Sequence, residues 1–241
     1  MKALVLGASG ATGHKLVEQL LNQNTQVKVI VRPSSVLPQS ISAHPQLEII
    51  RGEFLSFSDH QIQTLVQDCQ IIASCLGHNL TLKGMFGNPR ALVTNTIKRL
   101  CEAVALNQPN SPVKLVLMSS TGVRNKLNLE TVSTTHNILI HLLRWLLPPH
   151  KDNEQATAYL QNTVSKSNPF IDWVAVRPDA LIVSDQVSEY KIEAKPTRDA
   201  LFNAGEISRI NVAHFMASLV MDSDLWTRWK YKTPVIYAKT N

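Results

Sequence analysis

Gly7, Gly10 and Gly13 are the residues whose type and spacing speak most directly of chemistry. Ahead of them residues 3–6 form a short apolar run that reads as a strand. After them, Lys15 to Leu21 carries apolar residues at helical spacing. Strand, glycine turn and helix together are the setting in which such a pattern binds a dinucleotide. The chemistry belongs to the backbone. Gly7 permits the sharp turn, Gly10 lets the main chain approach a pyrophosphate, and Gly13 lets the helix pack closely. The N–H groups of Ser9, Ala11 and Thr12 then join the first helical turn in facing the anion, along the positive end of the helix dipole.

The end of the second apolar run bears on which dinucleotide is bound. An NAD-specific site places Asp or Glu there, about twenty residues past the glycines, to hold both ribose hydroxyls. Here residues 27–31 end in Arg32-Pro33-Ser34-Ser35, and no carboxylate follows before Glu48. Arg32 offers a planar fork to a 2′-phosphate, with Ser34 and Ser35 as further donors. NADP(H) is therefore favoured over NAD(H). Gly52-Glu53-Phe54 follows the third run, where the adenine edge would lie. Cys75, Leu76, Gly77 and His78 follow the fourth, beside the nicotinamide ribose.

The elements that position these residues alternate regularly. Strands are predicted at residues 3–6, 27–31, 47–50, 71–75, 115–119 and 173–176, and helices at 13–21, 59–66, 91–106 and 152–164. Strands rich in Val, Ile and Leu on both faces, each followed by a helix, argue for an α/β fold with a doubly wound parallel sheet. No linker divides residues 1–241, which read as one domain. After Pro178 the alternation fades into a strand at 188–193, a helix at 211–220 and a strand at 235–237. Residues 179–241 are expected to form a small C-terminal lobe on the substrate side.

Composition narrows the function classes. The net charge of +6 suits an anionic ligand, although a merely solubilising surface accounts for it equally well. Lys and Arg are scattered, with no basic helix bearing interleaved aromatics, so nucleic acid is not the expected partner. The apolar stretch 138–149 is broken by His141 and Arg144 and is too short to span a bilayer. Cys69, Cys75 and Cys101 lack Cys-x-x-Cys spacing, so neither a metal site nor a disulfide framework is expected. A reducing cytoplasm is the expected compartment.

The chain resembles the atypical short-chain dehydrogenase/reductases, specifically their NmrA-like branch. The resemblance rests on Gly7 to Gly13, Val31-Arg32-Pro33, Arg51-Gly52-Glu53, Met118-Ser119-Ser120-Thr121-Gly122, Ile171 to Pro178, and Ser208 to Phe215. It implies a Rossmann fold and an NADP(H)-type cleft. It implies less about activity, because the branch holds both reductases and NADP(H)-binding regulators. Typical superfamily enzymes pair a Ser with Tyr-x-x-x-Lys. This chain departs from that pattern. The residues four positions after Tyr159, Tyr190 and Tyr231 are Thr163, Ala194 and Val235, and Tyr237 has no residue at that offset that is a lysine.

By the same resemblance, Ser119 stands at the strand end and Pro149-His150-Lys151-Asp152-Asn153 begins the active-site helix. Asp152 or Asn153 is placed to cap that helix. His150 is a candidate proton donor, and Lys151 a candidate for holding the ribose hydroxyls. Arg177 closes the sixth strand near the nicotinamide end. Two functions follow as expectations. One is an NADP(H)-dependent oxidoreductase reducing a small carbonyl, quinone or conjugated acceptor without the Tyr-Lys pair. The other is a non-catalytic NADP(H) sensor acting on a protein partner.

Overall fold

A computed structural model describes residues 1–77, 90–121, 148–199 and 203–239, and of 148–150 the backbone alone. The chain opens with β1 (Lys2–Leu6), α1 (Gly13–Asn22), β2 (Gln26–Val31), a short α2 (Gln39–Ser42) and β3 (Leu47–Arg51). A 3₁₀ turn at Phe54–Ser56 leads to α3 (Asp59–Val66) and β4 (Ile71–Ser74). Next come α4 (Leu92–Asn107), β5 (Val113–Met118), α5 (Pro148–Tyr159) with a π-helical turn at Leu160–Val164, and β6 (Ile171–Pro178). The remainder is β7 (Ala180–Ile182), β8 (Tyr190–Glu193), β9 (Glu206–Ser208), α6 (Arg209–Met221), α7 (Ser223–Trp229) and β10 (Val235–Ala238).

Among the described residues the main sheet has eight strands in the order β3-β2-β1-β4-β5-β6-β10-β8. All neighbours run parallel except β8, which is antiparallel on β10 at the edge. The chain winds outward from β1 through β2 and β3, then returns to β4 on the other side of β1. That reversal opens a crevice at the carboxyl ends of β1 and β4, where open α/β sheets receive ligands. Strands β7 and β9 form a second, two-stranded parallel sheet.

Alternation along the strands builds two cores. Val5, Val29, Ala73, Val116 and Val174 face one way, onto α1 and α6. Leu4, Ile72, Leu115, Leu117 and Trp173 face the other, onto α3, α4 and α5. A strand buried on both faces must be apolar throughout, which is why these strands read as unbroken Val/Ile/Leu runs. Helix α3 begins with a full capping box, the Ser58 side chain accepting from the Gln61 N–H while the Gln61 side chain accepts from the Ser58 N–H.

Candidate functional site

The glycine turn sits at the crevice. Gly7 has φ +78°, and a Cβ there would lie 2.6 Å from the carbonyl of Cys75 at the end of β4. Gly13 is equally constrained, since its Cβ would fall 2.0 Å from the Gly7 oxygen. These two glycines let turn, helix and neighbouring strand close on one another. Gly10 differs: its Cβ would meet only the Gly7 oxygen, at 3.2 Å, so its open side faces solvent. Ser9, Gly10 and Ala11 are exposed. The Gly10 N–H donates to Gly7 O at 2.9 Å, and helical bonding resumes with the His14 N–H on Gly10 O. Helix α1 has no side-chain cap and no acidic residue in its first turn. A pyrophosphate fits that set of requirements: a close approach left open at Gly10, and the positive end of a helix with no acidic residue in its first turn.

Around this turn the predicted cofactor residues divide. Arg32 and Ser34 are exposed just beyond β2, with Ser35 half-buried beside them. Glu53 is exposed after β3, and Leu76 and Gly77 are accessible after β4. Three expectations need correction. Phe54 is a core residue, 7% exposed, with its ring edge-on to Phe57, so it presents little face to an adenine. The Cys75 side chain also points into the core, its Sγ 4.0 Å from the Met216 sulfur, and burial pushes its thiol up to about 12. Only its backbone borders the turn. Arg177 has no exposed surface, and its Nε donates to Thr233 O at 2.9 Å. A side chain enclosed by the strand-end segment before β10 has nothing to offer a ligand in the crevice.

The catalytic expectations are rearranged by α5. Ser119 lies one residue past β5, and its Oγ is 3.1 Å from Thr157 Oγ1 on that helix. Thr157 Oγ1 in turn donates to Asn153 O at 2.9 Å. Either hydroxyl of the Ser119–Thr157 pair can donate to the other, and the pair ties the serine to α5. Asn153 lies one helical turn from Thr157 on the same face, and its Oδ1 is buried without a hydrogen-bond partner among the described residues. Lys151 is exposed and about 120° round the helix from Thr157, so α5 brings Asn153 and Thr157, rather than Lys151, to the serine. The side chain of His150 lies outside the described residues, as do His78, Gly122 and residues 138–147.

Asp152 does not cap its own helix. Its carboxylate accepts from the Val93 and Thr94 N–H groups at 2.8 and 2.9 Å, and Thr94 Oγ1 donates to its carbonyl at 2.9 Å. Helix α4, whose N-cap Ala91 has no side-chain acceptor, is thus capped from α5. Tyr159, the tyrosine on α5, packs against the second core with the Lys98 ammonium 5.7 Å from its ring centroid. Burial pushes its phenol up to about 12, away from the range of a proton donor working near neutrality.

The family described as NAD(P)H-binding matches residues 7–223. The chain belongs to that family. Its fold is also that of a short-chain dehydrogenase/reductase from Veillonella parvula solved in complex with NADP. That structure is 15% identical, with a TM-score of 0.66, covering 98% of this chain and 94% of that one. An anaerobillin reductase from Escherichia coli O157:H7 is 14% identical, with a TM-score of 0.65, covering 100% of this chain and 98% of that one. At such identities the likeness is one of fold. An uncharacterized chloroplastic protein of Arabidopsis thaliana is 33% identical over 76 residues, a match spanning 32% of this chain and 27% of that protein's length. The resemblance to the NmrA-like branch fits this family. Among the described residues no helix is long and apolar enough to cross a membrane.

Proposed function

We propose that this protein is an NADP(H)-dependent oxidoreductase that reduces a small carbonyl, quinone or conjugated acceptor. The observation that carries the reading is the turn at Gly7, Gly10 and Gly13, closed on the end of β4 and open toward solvent at Gly10, within an NAD(P)H-binding family. In this reading the amides of Ser9 and of Ala11 to Gly13 hold the pyrophosphate where Gly10 lets it approach, and Arg32, Ser34 and Ser35 hold the 2′-phosphate. Glu53 borders the adenine, while Leu76 and Gly77 flank the nicotinamide ribose. When bound, the reduced nicotinamide supplies the hydride. Ser119 and the amide of Asn153 orient donors of the bound ligand, and water supplies the proton that a tyrosine supplies elsewhere. A reducing, cytoplasmic setting belongs to the proposal, as does a C-terminal lobe of residues 179–241 on the substrate side.

One observation favours the second reading, a non-catalytic NADP(H) sensor that signals to a protein partner. The Ser119 hydroxyl is hydrogen-bonded to that of Thr157, in a site where no tyrosine reaches the serine among the described residues. Steady-state NADPH oxidation across carbonyl, quinone and conjugated acceptors, run beside calorimetric binding of NADPH, separates the two. Turnover with any acceptor class supports the oxidoreductase. Tight binding with no turnover across the panel supports the sensor.

A further inference from the structure

Strands β2 and β3 run side by side with Val31 paired to Arg51. The end of β3 therefore stands next to the turn that leaves β2. That turn, Arg32-Pro33-Ser34-Ser35, is closed by the Ser35 N–H donating to Arg32 O at 2.9 Å, with Pro33 fixing φ at its second position. Arg51 Nη1 donates to Pro33 O at 3.2 Å and to Ser35 O at 3.0 Å. Two carbonyls of the turn are thus held by a cation. A guanidinium has five N–H donors. Nη1 supplies two of them, and the Nε and Nη2 donors have no acceptor among the described residues. Arg51 is exposed and forms no ion pair there, and the same is true of Arg32. This sets it apart from Arg99, whose guanidinium is paired with Asp59.

We propose that Arg51 is a positioning and specificity-determining residue for the 2′-phosphate. It fixes the Arg32–Ser35 turn through its carbonyls and adds a second positive charge to the phosphate subsite. The inference rests on the NADP(H) reading above and deepens it. A phosphate monoester carries close to two negative charges near neutrality, so two guanidinium groups at adjacent strand ends match it where one would not.

The test measures dissociation constants of NADPH, NADH, 2′,5′-ADP and 5′-AMP for the wild type, R51Q, R51K, R32A and the R32A/R51Q double variant. R51Q should weaken NADPH and 2′,5′-ADP by about tenfold or more, with NADH and 5′-AMP unchanged within about twofold. R51K keeps the charge without the fork and should recover part of the loss. Because both arginines act on one turn, the double variant should lose less than the product of the single losses. Equal weakening of NADPH and NADH by R51Q would make Arg51 a structural staple and overturn the inference. So would an unchanged NADPH affinity in R51Q while R32A loses it, which leaves the NADP(H) reading standing. A wild type that binds NADPH no better than NADH overturns that reading and the inference with it.

Discussion

The two ends of the sheet use the same kinds of residue for opposite ends. At the amino edge, cations meet acceptors. Lys2 and Lys28 both bind the Asp68 carboxylate, the latter at 2.8 Å, and Tyr231 donates to Asp172 beside Lys230. Lys114 donates to Val220 O at 2.8 Å. At the carboxyl edge, Arg32 and Arg51 have no carboxylate among the described residues, and Ser9, Gly10 and Ala11 are exposed. Paired charge contributes a little stability. Exposed charge left without a carboxylate adds little to stability and stays available to an anion. The contrast teaches that a lysine or arginine in such a chain is read by what the sheet places beside it.

The contrast breaks most severely at the turn itself. Gly13→Val sets a side chain within van der Waals overlap of Gly7 O, and should destabilise the protein by about 3 kcal/mol, the upper end for overpacking, as well as losing dinucleotide binding. Gly10→Val meets far less and should keep the fold while abolishing binding. Urea unfolding beside calorimetry reads both. A Gly10→Val protein that unfolds as readily as Gly13→Val would show that the turn has no separately functional face.

A smaller effect is expected at the contact between α4 and α5. Asp152→Ala leaves the Val93 and Thr94 amides without their carboxylate and should cost about 1–3 kcal/mol. NADPH affinity should survive within about twofold. A loss of affinity without a loss of stability would move Asp152 from the scaffold to the site.

The smallest effect lies at the amino edge. Burial raises the Asp68 carboxyl, but hydrogen bonds from Lys2 and Lys28 outweigh it and hold the group down at about 2. A depressed folded value gives stability that is full above the unfolded value near 3.8 and is lost as pH falls through about 2. With the Asp68 side chain 49% exposed, screening limits the contribution to about 0.2–1 kcal/mol. The stability difference between wild type and Asp68→Asn should hold from pH 7 to about pH 4 and shrink below it. A difference that grows on acidification would contradict the pairing.

Most of the fold was legible because its signals are local. The run at 27–31 and the capping box ahead of Asp59 carry their own strand and helix in a few neighbouring residues. The three-residue strands β7 and β9 are too short for a period to register. Helix α7, seven residues long, is as hard to read from its period, although Asp222 accepts from the Asp224 and Leu225 amides as its N-cap. The site was legible where chemistry is carried by backbone conformation, as at Gly7, and less so where it depends on distant partners. Asp152 looks like a cap for the helix it precedes in any linear reading, yet its amides lie 58 and 59 residues away. Arg177 looks like a strand-end cation facing the crevice until Thr233 encloses it. The signal for Arg51 lies in the pairing: two neighbouring parallel strands both reach their carboxyl ends at arginine, Arg32 just past one and Arg51 closing the other.

The place of β10 bears on how the protein is made. It is synthesised after every other strand of the main sheet, yet it sits inside the sheet, between β6 and β8. A ribosome therefore delivers β8 before the strand that β8 must pair with, while β1 to β6 can assemble in the order they emerge. Until Val235 to Ala238 arrive, β6 presents a bare edge to the crowded cell. Pairing of β10 is therefore an insertion between two strands already made, rather than an addition at an edge.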